Sequence, residues 1–178
     1  QTAEDVDTLQ KLQGVAVFEV ARGANGWQVM VDSPFNRRIH HNTAMVFEGP
    51  AAGHDLLKTD ADPTGTEVLG TLNNCGAGKT PWGTYLTCEE NFNGYFGSSE
   101  ERQDQKPLDV DAGYQRYGIG AEGWGYDYHK WDARFDTAMN HNEPHRAGYI
   151  VEIDPSDPRP LTVTGGMSNF GGPGNNYS

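Results

Sequence analysis

Long apolar runs are missing from this sequence. None approaches the roughly 20 residues that a membrane-spanning helix requires, so no segment reads as a span. Cysteine is scarce: the 2 residues, Cys75 and Cys88, are too few for a disulfide framework. Basic residues are short as well, with 13 Lys and Arg against 25 Asp and Glu, a net charge of −12. Nucleic-acid phosphates need a basic surface, so this balance argues against nucleic acid as a specific partner. It suits a solvated acidic surface, or a protein that collects cations. Sustained helical periodicity is also lacking, while 23 Gly and 10 Pro call for many turns. The chain opens at Gln1 with no leader-like stretch. It is read as a piece of a longer protein, about whose targeting the missing leader says nothing.

What is present centres on residues 71–96, TLNNCGAGKTPWGTYLTCEENFNGYF. β-formers at 68–72 and 83–88 flank a Gly/Pro-rich loop, and the pattern predicts a β-hairpin closed by that long loop. Cys75, Asn73, Asn74, Glu89 and Glu90 could then converge at its two ends, as soft sulfur, amide oxygens and hard carboxylates. Gly78-Lys79-Thr80 mimics the end of a phosphate-binding loop. That motif needs Gly where Asn73 stands. It also needs a helix starting at Lys79, with N–H groups aimed at the phosphates. Pro81 disfavours a helical Thr80, so a nucleotide loop is set aside.

Around this stretch the sequence reads as strands and turns. Residues 15–20 and 27–31 predict a second hairpin, with Trp27, Val29 and Val31 on one face. Residues 33–50 read as a loop carrying the cationic cluster Arg37, Arg38, His40 and His41. Residues 92–131 form a long Gly/Tyr/Asp-rich excursion without clear periodicity, in which 118–128 reads as an ordered surface loop. Residues 147–153 are a strand, stopped by Asp154-Pro155, and 161–164 one more. Paired strands without a long amphipathic helix give an all-β class. The domain is expected over residues 1–164, followed by a Gly/Asn-rich disordered tail at 165–178.

Several side chains carry candidate chemistry. Cys75 sits between Asn74 and Gly76 rather than among apolar residues, which favours a thiolate ligand for iron or zinc over a packed core cysteine. Cys88 alternates with Leu86 and reads as a small buried residue. A Cys75–Cys88 disulfide is the structural alternative, plausible only in an oxidising compartment. Glu89 and Glu90 are successive strand residues, so their side chains point to opposite faces and one of them faces any given site. Glu89, sharing a face with polar Thr87, is the slightly preferred one; carboxylates and Asn oxygens suit calcium. Arg37 and Arg38 could hold a phosphate by bidentate contacts or pair with surface carboxylates. Asp60 and Asp62 read as turn formers. Glu143 and Arg146 read as a surface pair.

One longer pattern joins these pieces. NNCGAGKTPWGTYLTCEEN resembles the signature of the PhoX-type alkaline phosphatases, and SPFNRRI, GPAAGH, DPTGTEVLGTLNNC and NEPHRAGYIVEIDP agree in order with it. The resemblance implies part of a six-bladed β-propeller with long loops. A blade takes roughly 40–45 residues, so this chain would hold an incomplete one. It implies a secreted bacterial enzyme, periplasmic or extracellular, that hydrolyses phosphomonoesters with iron (Fe3+) and calcium. On the matching motif, Cys75 takes the role of an iron ligand and Glu89 or Glu90 that of a metal-binding carboxylate. Asn74, Arg37 and Arg38 become supporting or phosphate-facing positions. The chain departs from the family after Pro155, where an Arg-Phe-Lys-His-Glu segment is expected and residues 160–170 read PLTVTGGMSNF. With that motif missing, the chain is expected to be inactive alone. The alternative is a non-catalytic propeller segment that binds calcium or a protein partner.

Overall fold

The computed structural model describes residues 1–100, 112–157 and 164–166. The chain begins with a helix, α1 (Ala3–Leu12), where the sequence suggested one turn or an extended lead-in. A reciprocal cap explains its start. Asp5 N–H donates to Thr2 Oγ1 at 3.2 Å, and Thr2 N–H donates to the Asp5 carboxylate at 2.7 Å. Its other end is held by Arg38, whose guanidinium donates to the carbonyls of Lys11, Leu12 and Gln13.

The first predicted hairpin is split. Strand β1 (Val15–Val17) pairs with β4 (Arg37–Ile39), and a separate ribbon joins β2 (Val20–Gly23) to β3 (Gly26–Val29). The break at Phe18-Glu19 has a polar cause: Glu19 takes hydrogen bonds from Ser33 through its carboxylate and gives one from its N–H to Asn36. Trp27, Val29 and Val31 are all exposed. Residues 33–50, read as a loop, hold β4 and also β5 (Thr43–Glu48).

The main sheet runs in the order β6-β5-β10-β9-β8-β7. It comprises β5, β6 (Glu67–Gly70), β7 (Asn74–Lys79), β8 (Tyr85–Glu89), β9 (Ile150–Ile153) and β10 (Thr164–Gly166). Two corrections follow. Strand β6 pairs with β5 and not with β8, and the hairpin partner of β8 is β7, the very stretch expected to be loop. Asn74-Cys75-Gly76-Ala77-Gly78-Lys79 has little β propensity, but a ladder uses backbone groups, and the Thr80–Thr84 turn returns the chain in register. The ladder carries a bulge between Asn74 and Ala77, so that Cys75 and Gly76 together oppose Cys88. Gly165 and Gly166 lie in β10, which runs parallel to β5; the rest of the expected tail lies outside the described residues. The described residues are mostly β with few helices, and no sheet among them closes into a propeller.

The buried apolar residues form two clusters. One gathers Ile39, Met45, Phe47, Leu57, Val68, Val151 and Ile153. The other unites Val6 of α1 with Leu72, Phe92, Tyr95, Phe96, Tyr114, Ile119, Tyr128 and Phe135. The Gly/Tyr/Asp-rich excursion therefore builds a core; Ile119 and Tyr128 are buried in the part expected to be a surface loop, although Trp124 and Tyr126 are exposed. The Glu143/Arg146 pair is also interior. Arg146 Nε lies 3.0 Å from Glu143, Arg134 Nε donates to Glu143 at 2.7 Å, and Arg146 reaches Asp62 at 3.1 Å. Burial works upward on Asp62, but the Thr64 hydroxyl, the Glu67 N–H and Arg146 outweigh it and hold the carboxyl at about 2. The backbone of Asp62 also forms the turn read from the sequence, and its carboxylate takes the N–H groups of Thr64, Gly65 and Glu67.

Candidate functional site

The bulge places Cys75 on the outer strand of the sheet. Asn73, in the left-handed region at φ 41°, turns the chain into β7. Its N–H donates to Gln13 Oε1 at 2.8 Å, its amide donates to the Glu90 carbonyl at 2.9 Å, and its own carbonyl accepts from Glu90 N–H at 3.1 Å. These bonds fix Glu90 beside the first residues of β7. Cys75 and Cys88 are both free thiols, Cys75 exposed and Cys88 half-buried, so the disulfide alternative is not formed. The Glu90 carboxylate acts on the Cys75 thiol, as hydrogen-bond acceptor and as charge. That bond and its charge push the thiol above the ordinary range, with desolvation and Cys88 adding to the effect.

Glu89 and Glu90 diverge, as strand alternation requires. Glu90 acts on the Cys75 thiol. Glu89 turns inward and spends both oxygens on protein donors. Its Oε1 takes the Thr71 hydroxyl at 2.8 Å and Leu72 N–H at 3.3 Å, and its Oε2 takes Gly148 N–H at 2.8 Å and Tyr149 N–H at 3.2 Å. Burial pushes the Glu89 carboxyl upward, and these four donors work against that. A small cavity borders the same carboxylate and is lined by Met45, Phe47, Val68, Arg146, Tyr149 and Val151.

Asn74 pairs across the ladder with Glu89. Its Nδ2 donates to Thr71 Oγ1 at 2.9 Å, while its Oδ1 is buried with no donor among the described residues. A buried, unpaired acceptor is costly unless something positive meets it. Arg37 and Arg38 are committed elsewhere: Arg37 donates to the carbonyls of Phe35 and Asp154, and Arg38 caps α1. Gln13 nevertheless links that cap to Asn73, so Arg38 stands two hydrogen bonds from the hairpin. No group of three or more His, Cys, Asp or Glu among the described residues is arranged to hold a metal ion. Cys75 and Glu90 carry donor types that cations take, while the Asn74 amide is bonded toward Thr71 and Glu89. Sequence reasoning missed Thr71 and Gln13; Thr71, two residues before the Asn73-Asn74 pair, carried a polar signal, while Gln13 is 60 residues from Asn73 and carried none.

Fold and site together define a class: a largely β-stranded chain that gathers side chains of cation-ligand type at a bulged hairpin. The family follows from comparison. A model of the alkaline phosphatase PhoX family matches residues 1–166, and the chain belongs to that family. A solved structure, "Pseudomonas fluorescens PhoX in complex with vanadate, a transition state analogue", is 50% identical with a TM-score of 0.84. The match covers 93% of this chain and 27% of that one, so the chain spans about a quarter of that protein's length. No curated protein matches.

Proposed function

We propose that this chain supplies the thiol-bearing wall of the active centre of a PhoX-type phosphomonoesterase that works with iron and calcium outside the cytoplasm. In this reading, residues 1–164 are part of a β-propeller and do not make a complete active centre alone. One observation carries it: an exposed free thiol, Cys75, stands at the hairpin bulge, next to the rung of the ladder that pairs Asn74 with Glu89, the residue before Glu90, in a chain half identical to a PhoX solved with vanadate, a transition state analogue. Cys75 and Glu90 would hold the metal, with the Asn74 oxygen as a further donor. A bound metal would polarise the phosphoryl oxygens and offset their developing charge. Cys75 would bind as thiolate, with its proton leaving to solvent, and Glu90 would bind as carboxylate. Glu89, held by four donors, keeps the Thr71–Asn74 turn in place rather than reaching a ligand.

The test measures metal content and hydrolysis of p-nitrophenyl phosphate for the 178-residue chain and for a full-length PhoX-type chain carrying it. The full-length protein is expected to hydrolyse the ester and to lose both iron and activity on Cys75→Ser. The 178-residue chain is expected to bind metal without turnover. Turnover by the short chain refutes the incompleteness, and unchanged iron in the Cys75→Ser protein refutes the ligand role.

A further inference from the structure

Glu89 is the most heavily bonded side chain near the hairpin, and ligation does not explain it. Its carboxylate ties three separate segments: Thr71-Leu72 before β7, β8 itself, and Gly148-Tyr149 at the entry to β9. Its backbone adds a fourth tie, Glu89 N–H to the Tyr149 carbonyl at 3.0 Å. The Thr71 hydroxyl has one proton, and it goes to Glu89 Oε1. The same hydroxyl oxygen then accepts from Asn74 Nδ2 at 2.9 Å. With Oδ1 meeting no donor among the described residues, this bond is what sets the orientation of the Asn74 amide. Asn74 is the residue before Cys75 and the last regular pair before the bulge.

We propose that Glu89 acts through Thr71 and Asn74 as a positioning residue that sets where the bulge presents Cys75. Three acceptors and donors in series, each with one partner assignment, hold the first residue of β7 at a fixed place and amide orientation. The peptide that follows then leaves along one path, and the thiol meets Glu90. This inference rests on the reading of Cys75 as the ligand.

The experiment uses the 178-residue chain with Co2+ alone as the probe, followed by its thiolate charge-transfer band, and iodoacetamide labelling of each cysteine at pH 8. Thr71→Val keeps the shape and removes the hydroxyl, and it is expected to weaken Co2+ binding by about ten- to hundredfold. It should also speed Cys75 labelling severalfold while Cys88 labelling stays the same. Thr71→Ser restores the hydroxyl and should behave as the unaltered chain. Asn74→Asp should speed Cys75 labelling as Thr71→Val does, because two carboxylates would then compete for one hydroxyl proton. A general loosening of the fold would accelerate both cysteines, and that result overturns the proposal. So does a Thr71→Val chain with unchanged Co2+ affinity and Cys75 labelling. Failure of Cys75→Ser to alter the Co2+ spectrum instead sinks the ligand reading, so the two failures are distinct. Should Thr71→Val not fold, NMR of the unaltered chain decides. Slowly exchanging Asn74 side-chain protons with a cross-relaxation contact to the Thr71 methyl support the relay, and freely exchanging ones overturn it.

Discussion

His41 gives the sharpest stability test. It is fully buried, and neither ring nitrogen has a hydrogen-bond partner among the described residues. Tyr95, Tyr128 and Phe135 surround the ring with centroids 5.8, 6.0 and 5.8 Å away. Arg134, bonded to the His41 carbonyl, and His40 add positive potential. Burial first, then those two charges, lower its pKa from 6.5 to about 3. The folded state thus refuses a proton that the unfolded chain accepts. Stability from this residue is complete above pH 6.5 and is lost as pH falls from 6.5 toward 3. Integrated between pH 6.5 and 4.5, the loss is about 2 kcal/mol, a large share of the 5–15 kcal/mol typical of a domain. His41→Leu keeps similar volume and removes the titration. Urea unfolding followed by tryptophan fluorescence at several pH values should show the unaltered chain losing about 2 kcal/mol more than His41→Leu across that window. Shared carboxylates cancel in the difference. Parallel pH dependence of the two proteins would mean that the imidazole is hydrated or paired, and would refute the reasoning.

Two further predictions probe other contacts. Glu90→Gln removes the carboxylate that raises the Cys75 thiol; iodoacetamide should then label Cys75 faster at pH 8, and an unchanged rate would show that the two groups do not meet. Arg146→Met leaves Asp62 and Glu143 buried without their shared guanidinium, and denaturant unfolding should register a loss of about 3–5 kcal/mol. Lys130→Met, at an exposed pair with Asp127, should cost less than about 1 kcal/mol by the same measurement.

The parts of this fold that were legible in sequence are those where side chains decide. Ile150–Ile153 reads as a strand because it is rich in β-branched residues and stopped by Asp154-Pro155, and it is one. Strand β7 was hidden because Gly76 and Gly78 carry no pattern at all; its place in the sheet comes from the backbone of Tyr85–Glu89 across the ladder. The core formed by Phe92, Tyr95, Phe96 and Tyr128 was hidden for the opposite reason. Short 3-10 turns bury aromatic rings one at a time, so no repeat marks them. At the site, that Cys75 lies outside the core was legible from its polar neighbours, and the divergence of Glu89 from Glu90 from strand alternation alone. Which carboxylate faces the thiol was not, because the bulge resets the alternation between Asn74 and Ala77.

That bulge also bears on why the candidate centre is only a wall. Strand β7 is the outer strand of the described sheet, with β8 on one side of it. On the reading of Cys75 and Glu90 proposed above, a thiol at such an edge has an open flank, and one carboxylate beside it is too few for a hard cation that takes six or more oxygens. Further donors would then come from other chain segments. The solved relative, of which this chain spans 27%, has ample length to provide them. A thiol on an edge strand, held by a relay that starts in the interior at Glu89, can stay fixed while other segments close over it. This arrangement accounts for a rigid bulge beside an open flank better than a self-contained site does.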